Sequence, residues 1–211
     1  IHKFFGSKEH KAGVRGFDIG NELLTESLQL GIDVRLNTEV VGFGKDHKVW
    51  AVENRSRSYI VDADRIIIAA GATENSLSFE GWTLPGVMTA GCAQTLINVH
   101  RVLPGKSVLM VGSGNVGVIV AYQLMQAGAD VAAIIEAAPN LGGYGVHTAK
   151  IRRAGVPFFT STTIVKAEGK ESVERAVIAN VDSRFVPIAD TEKVLEVDTI
   201  CIAVGLTPSI E

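Results

Sequence analysis

Cysteine is scarce: Cys92 and Cys201 are the two in 211 residues. They stand far apart and neither belongs to a C-x-x-C pair, which argues against a dithiol redox centre or a thiolate metal site in this chain. Their apolar settings, GCAQTLI and TICIAVG, predict two buried structural thiols. So few cysteines, without a pairing pattern, fit a cytoplasmic, reducing compartment. An excess of charge of one sign is lacking as well, with 20 Lys and Arg against 23 Asp and Glu. Without a basic stripe, nucleic acid is excluded as an expected partner. No apolar run reaches the ~18 residues of a membrane span, and no secretory leader pattern is read at the start. Aromatics are sparse and the five histidines show no ligand spacing, so no metal site is expected. No Ser/His/Asp set or paired carboxylates stand out, and no catalytic residue is expected.

Glycine is plentiful, with 22 residues, as turns between strands and helices require. The length suffices for a sizeable core in one large or two small domains. The chain opens on Ile1 rather than Met and closes on GLTPSIE, so it is expected to be a piece of a longer protein.

The stretch 107–136 reads SVLMVGSGNVGVIVAYQLMQAGADVAAIIE. An apolar run, a glycine turn, a helical pattern and a second apolar run ending on an acid follow in the order of a βαβ dinucleotide-binding unit. Gly112 allows the tight turn, Gly114 lets a pyrophosphate approach the backbone, and Gly117 lets the helix pack on the strand. The helix start offers unpaired N–H groups and a positive dipole end. Val116, Ile119, Val120, Leu124 and Ala127 share the expected apolar helix face, and Gly128 stands at a C-cap position. Glu136 is placed to accept from adenine-ribose hydroxyls.

The rest alternates in the same way. Residues 18–30 form an amphipathic helix closed by Gly31, and residues 33–36 a short strand. Residues 39–43, 49–53 and 58–61 form a small antiparallel meander. Residues 64–70, DRIIIAA, read as a buried parallel strand ending at Gly71. Residues 72–85 are loop and residues 89–102 helix, followed by the Pro104-Gly105 break. After Glu136 come a glycine turn, a helix over 146–154 and a strand over 156–159. A second meander covers 164–168, 173–181 and 185–188, and a buried strand covers 198–204. The echo of DADRIIIAAGAT in EVDTICIAVGLT points to two related nucleotide-binding units.

These residues resemble the two-dinucleotide-binding-domain flavoproteins, the pyridine nucleotide-disulfide oxidoreductase superfamily. IIIAAGAT, GSGNVG with Glu136, and DTICIAVGLTPSIE carry the likeness across essentially the whole chain. LPGVMTAGCAQTLIN, residues 84–98, is similar to the FAD/NAD-binding subunits of opine and amino-acid dehydrogenases, of hydrogen cyanide synthase and of the sarcosine oxidase α group. The resemblance implies an α/β fold, with a Rossmann-like three-layer NAD(P)-binding domain with a β-meander over 104–205. It implies a partial FAD-binding domain over 1–103, lacking its opening βαβ, and a return segment toward it over 206–211. The implied activity is an FAD/NAD-dependent oxidoreductase in which hydride passes between nicotinamide and flavin, with this chain alone inactive and not expected to hold FAD. The missing dithiol leaves disulfide reduction without support.

The expected cofactor set is Gly112, Ser113, Gly114, Asn115, Val116, Gly117, Glu136 and Gly205. Asn115 has two roles open to it, capping the helix or touching a phosphate. Gly205 ends a strand, where open α/β sheets take ligands or simply turn. Residues 137–140 (AAPN) hold no cation for a 2′-phosphate and Glu136 repels one, so NAD is preferred over NADP. Tyr144 and His147 are more readily a helix start than cleft lining. Trp50 and Trp82 are read as packing residues. Three readings stand side by side: an NAD-binding region working with FAD, a module that holds ADP or ATP or assembles with other subunits of a dehydrogenase without turnover, and a scaffold with no ligand.

Overall fold

The computed structural model describes residues 14–210 of the chain. It divides into two compact units, Ile1–Ala69 and Ala70–Glu211.

In the first unit α1, Gly16–Gln29, precedes three strands, β1 (Thr38–Phe43), β2 (Lys48–Glu53) and β3 (Arg57–Asp62). They pair antiparallel in that order, with a register slip between Val40 and Gly42. The meander expected over 39–61 is thus present. No residue of α1 is buried, and Ala51 is the one buried residue among the described residues of this unit. The strands expected over 33–36 and 64–70 are absent: both stretches are irregular, and Ile67 is 92% exposed. An apolar run becomes a parallel strand only when neighbours complete its ladder, and no described residue pairs with either.

In the second unit a parallel sheet has the order β5-β12-β6-β7-β8. Its strands are β5 (Val87–Thr89), β6 (Ser107–Val111), β7 (Asp130–Ile135), β8 (Phe158–Phe159) and β12 (Thr199–Ile202). A two-stranded ribbon of β4 (Ala72–Glu74) with β13 (Leu206–Pro208) accompanies it. One face carries α2 (Ala90–Thr95), α3 (Asn115–Gln126) and α4 (Gly145–Arg153), the other a meander of β9 (Thr162–Glu168), β10 (Arg175–Asn180) and β11 (Lys193–Glu196).

The two-residue period of a strand explains these three layers. Val108 and Met110 of β6 pack with Val118, Leu124 and Ile151 on the helical side. Leu109 and Val111, one step out of phase, pack with Ile164, Ala176 and Ile178 of the meander. Burying such side chains stabilises the fold by ~1.5–3 kcal/mol each. The start of β6 is fixed by the Asp198 carboxylate, which accepts from Lys106 N (2.9 Å) and Ser107 N (3.1 Å).

Several local expectations are corrected. The helix over 89–102 is α2 followed by a π-helical turn, Leu96–His100, ending on Arg101 at φ 59°. The third meander strand is β11, not 185–188, where Pro187 lacks a ladder donor. The buried face of α3 is Gly117, Val118, Val120, Ala121, Gln123 and Leu124, while Val116 and Ala127 are exposed. Buried Gln123 accepts from Gln94 (3.1 Å) and Asn98 (3.2 Å) and so ties α3 to the α2 segment. Cys201 is buried as expected, but Cys92 is exposed, and both tryptophans are about half exposed.

Candidate functional site

The carboxyl ends of β6, β7 and β12 converge on one cavity of about 750 Å³. Its floor is the turn between β6 and α3. Gly112 sits at φ 108°, in the region that glycine favours, and a Cβ there would run into the Ala203 carbonyl oxygen. A Cβ on Gly117 would strike the Gly112 carbonyl oxygen. These two glycines let turn, helix and β12 close on one another.

Gly114 differs from both. It is the N-cap of α3 with an ordinary backbone (φ −61°, ψ 172°), and a Cβ there would meet nothing within 4 Å. Neither packing nor backbone geometry demands a glycine there. The open space before it is the cavity, which Gly112, Gly114, Asn115 and Val116 all line. The first-turn N–H groups of α3, on Asn115, Val116 and Gly117, have no partner inside the helix.

Glu136 lies on the facing wall, just past the end of β7. Its Oε2 accepts twice from Ser113, from the backbone N–H (3.0 Å) and the hydroxyl (2.6 Å). Its Oε1 accepts from Ala138 N (2.9 Å). Each carboxylate oxygen offers about two lone pairs, so Oε1 keeps one acceptor position for a ligand hydroxyl. The Ser113 hydroxyl also accepts from Gly142 N (3.0 Å), and Ser113 is fully buried. Ser113 therefore ties together the glycine turn, the acid and the following glycine loop, and does not line the cavity. Asn115 neither caps α3 nor points its oxygen at open space: its Oδ1 accepts from Tyr144 N at 2.8 Å. Tyr144 is the N-cap residue of α4 and His147 lies within α4, and neither lines the cavity.

Gly205 lines the far end at φ 123°, beside Leu206. Glu74 and Leu77 also line the cavity, from a stretch read as loop. The Glu74 carboxylate accepts from Gly91 N (2.6 Å), at the start of α2. Thr162, Thr163 and Phe185 come from the meander side. Among the lining residues Glu74 and Glu136 are the charged ones, and no Lys, Arg or His is present. Among the described residues no cluster of His, Cys, Asp or Glu fits a metal ion, and no helix is long and apolar enough to cross a membrane.

A glycine turn feeding a helix N-terminus, faced by an acid at the end of the next parallel strand, defines a dinucleotide-binding α/β unit. The family model "Pyridine nucleotide-disulphide oxidoreductase" matches residues 2–211, and the chain belongs to that family. The HcnB component of hydrogen cyanide synthase from Pseudomonas aeruginosa is 30% identical over 193 residues, covering 84% of this chain and 41% of that protein. An opine oxidase subunit of Agrobacterium tumefaciens is 33% identical over 97 residues, covering 46% of this chain and 19% of that protein. The chain thus spans less than half the length of these relatives. The T. acidophilum thioredoxin reductase shares the fold, with TM-score 0.75, 20% identity, and 99% of this chain and 65% of that one covered.

Proposed function

We propose that residues 104–205 bind NAD(H) in the cavity over α3, as the NAD-binding region of an FAD-dependent oxidoreductase. The observation that carries this reading is the open space at Gly114, between the free N–H groups of α3 and the Glu136 carboxylate. The pyrophosphate sits on the α3 N-terminus, neutralised by backbone dipoles rather than by side-chain cations. Glu136 Oε1 accepts from an adenine-ribose hydroxyl, and its charge, with no cation lining the cavity, disfavours a 2′-phosphate. Gly205 lets the dinucleotide lie along the end of β12.

Bound together, NAD and FAD supply hydride exchange between nicotinamide and flavin in the whole protein. The residues of this chain bind and orient, and none is assigned to proton transfer. Residues 1–103 are read as part of the FAD-binding domain and 206–211 as the return toward it, with FAD held only by the longer, cytoplasmic protein.

A second reading, a nucleotide such as ADP held without turnover inside a multi-subunit enzyme, draws on the relatives being named as subunits. Calorimetric titration with NADH, NADPH and ADP separates the two. The NAD reading expects NADH to bind at least tenfold tighter than either NADPH or ADP. Equal binding of NADH and ADP favours the second reading, and binding of none removes both.

A further inference from the structure

The turn after β10 presents one side chain that the fold does not need. Phe185 has φ 62°, in the left-handed region where a bulky residue is a genuine outlier. It is the one large apolar residue with positive φ among the described residues. Its ring is not packed away: the residue is 59% exposed and lines the cavity. The neighbouring apolar residues Val186 and Ile188 are exposed too but do not line it.

The strained conformation is held from below. Asp182 N donates to Val186 O and Phe185 N to Asp182 O, both at 3.0 Å. The Asp182 carboxylate accepts from Arg184 N (2.8 Å) and Val186 N (2.9 Å). Such strained residues occur in turns and also cluster at ligand sites, and of the non-glycine residues with positive φ among those described Phe185 is the one that lines the cavity.

The same ladder fixes which end of the cavity Phe185 serves. Val181 N donates to Ser161 O (2.8 Å), Ser161 N to Ala138 O (3.1 Å) and Thr162 N to Glu136 O (2.9 Å). Phe185 is therefore tied through adjacent strands to the wall that holds Glu136, away from Gly205. A nucleotide whose ribose reaches Glu136 puts its purine on that wall.

We propose that Phe185 is the base-stacking residue of the site, its ring lying against the purine of the bound nucleotide. This rests on the nucleotide reading above and adds what recognises the base. Aromatic stacking tolerates any flat base, so Phe185 contributes affinity for the purine end that NADH and ADP share.

The test is calorimetric titration of the wild-type chain and of Phe185→Ala, Phe185→Leu and Phe185→Tyr with NADH and ADP, each variant's melting temperature being recorded. Phe185→Ala is expected to weaken NADH and ADP alike by roughly tenfold. Phe185→Tyr should restore both to within about twofold, with Phe185→Leu between, because a flat ring and not bulk is required. Unchanged binding in Phe185→Ala overturns the proposal and leaves the nucleotide site standing. A loss for NADH without a loss for ADP puts the ring at the other end and also overturns it, as does a Phe185→Tyr variant as weak as the alanine. Wild-type chain that binds neither ligand overturns the nucleotide reading and this proposal together.

Discussion

The two meanders of this chain are built alike and stabilised differently. Both β1-β2-β3 and β9-β10-β11 are three-stranded and antiparallel. The second lies on a parallel sheet, and Ile164, Ala167, Ala176 and Ile178 of its inner face are buried against Leu109, Val111, Ile135 and Ile202. In the first, Ala51 alone is buried, while Val40, Val41, Phe43, Ile60 and Val61 are exposed. The helices differ in the same sense, with α1 burying nothing and α3 burying six residues. Strand pairing alone does not make a core. A second layer of secondary structure is needed before apolar side chains leave water.

The largest test of this contrast pairs Leu109→Ala with Leu23→Ala. Leu109 is fully buried, so its truncation is expected to cost ~2–5 kcal/mol in urea unfolding. Leu23 is 52% exposed, and its truncation should fall within ~0.5 kcal/mol. Equal costs would break the comparison.

Gly117→Ala comes next. The added methyl strikes a backbone oxygen, so a loss of ~1–3 kcal/mol in stability is expected, read from the melting temperature.

Ser113→Ala removes two hydroxyl contacts, to Glu136 and to Gly142 N. Losing the short bond to the charged Glu136 carboxylate, together with the contact to exposed Gly142, is expected to cost ~1–2 kcal/mol by denaturant titration. A loss below about 0.3 kcal/mol would show that the tie between turn, acid and loop is not structural.

The smallest effect is chemical. Burial pushes the Cys201 thiol up to about 12, whereas Cys92 is exposed. A thiol reagent at pH 8 should therefore modify Cys92 and leave Cys201 untouched until the chain unfolds, as mass spectrometry of the labelled peptides would read.

How far the sequence alone reached follows from which forces are local. The elements of the β6–α3–β7 unit and their order are legible in the sequence, because its glycines, its period of 3.6 and its terminal acid all lie within thirty residues of one another, whereas the buried face of α3 differs at Val116 and Ala127. The stretch 64–70 carries the same apolar signal as β12, yet only β12 has neighbours on both sides to pair with. Phe185–Ile188 looked like a strand because it is apolar, and Pro187 was the warning. β11 (KVLE) was missed because its alternation is diluted by charge. At the site, the glycine turn and Glu136 stood out. The partner of Asn115, 29 residues away, and the contributions of Glu74 and Phe185 did not, since each depends on a long-range approach that no local pattern encodes.

The central claim is that the space before Gly114 is kept open for a dinucleotide, and the direct test is NADH titration of Gly114→Ala beside its thermal unfolding. The backbone there suits any residue and the methyl touches nothing. The melting temperature should therefore hold while NADH affinity falls by at least tenfold. A Gly114→Ala chain that binds NADH as tightly as the wild type, with its fold intact, would contradict the account.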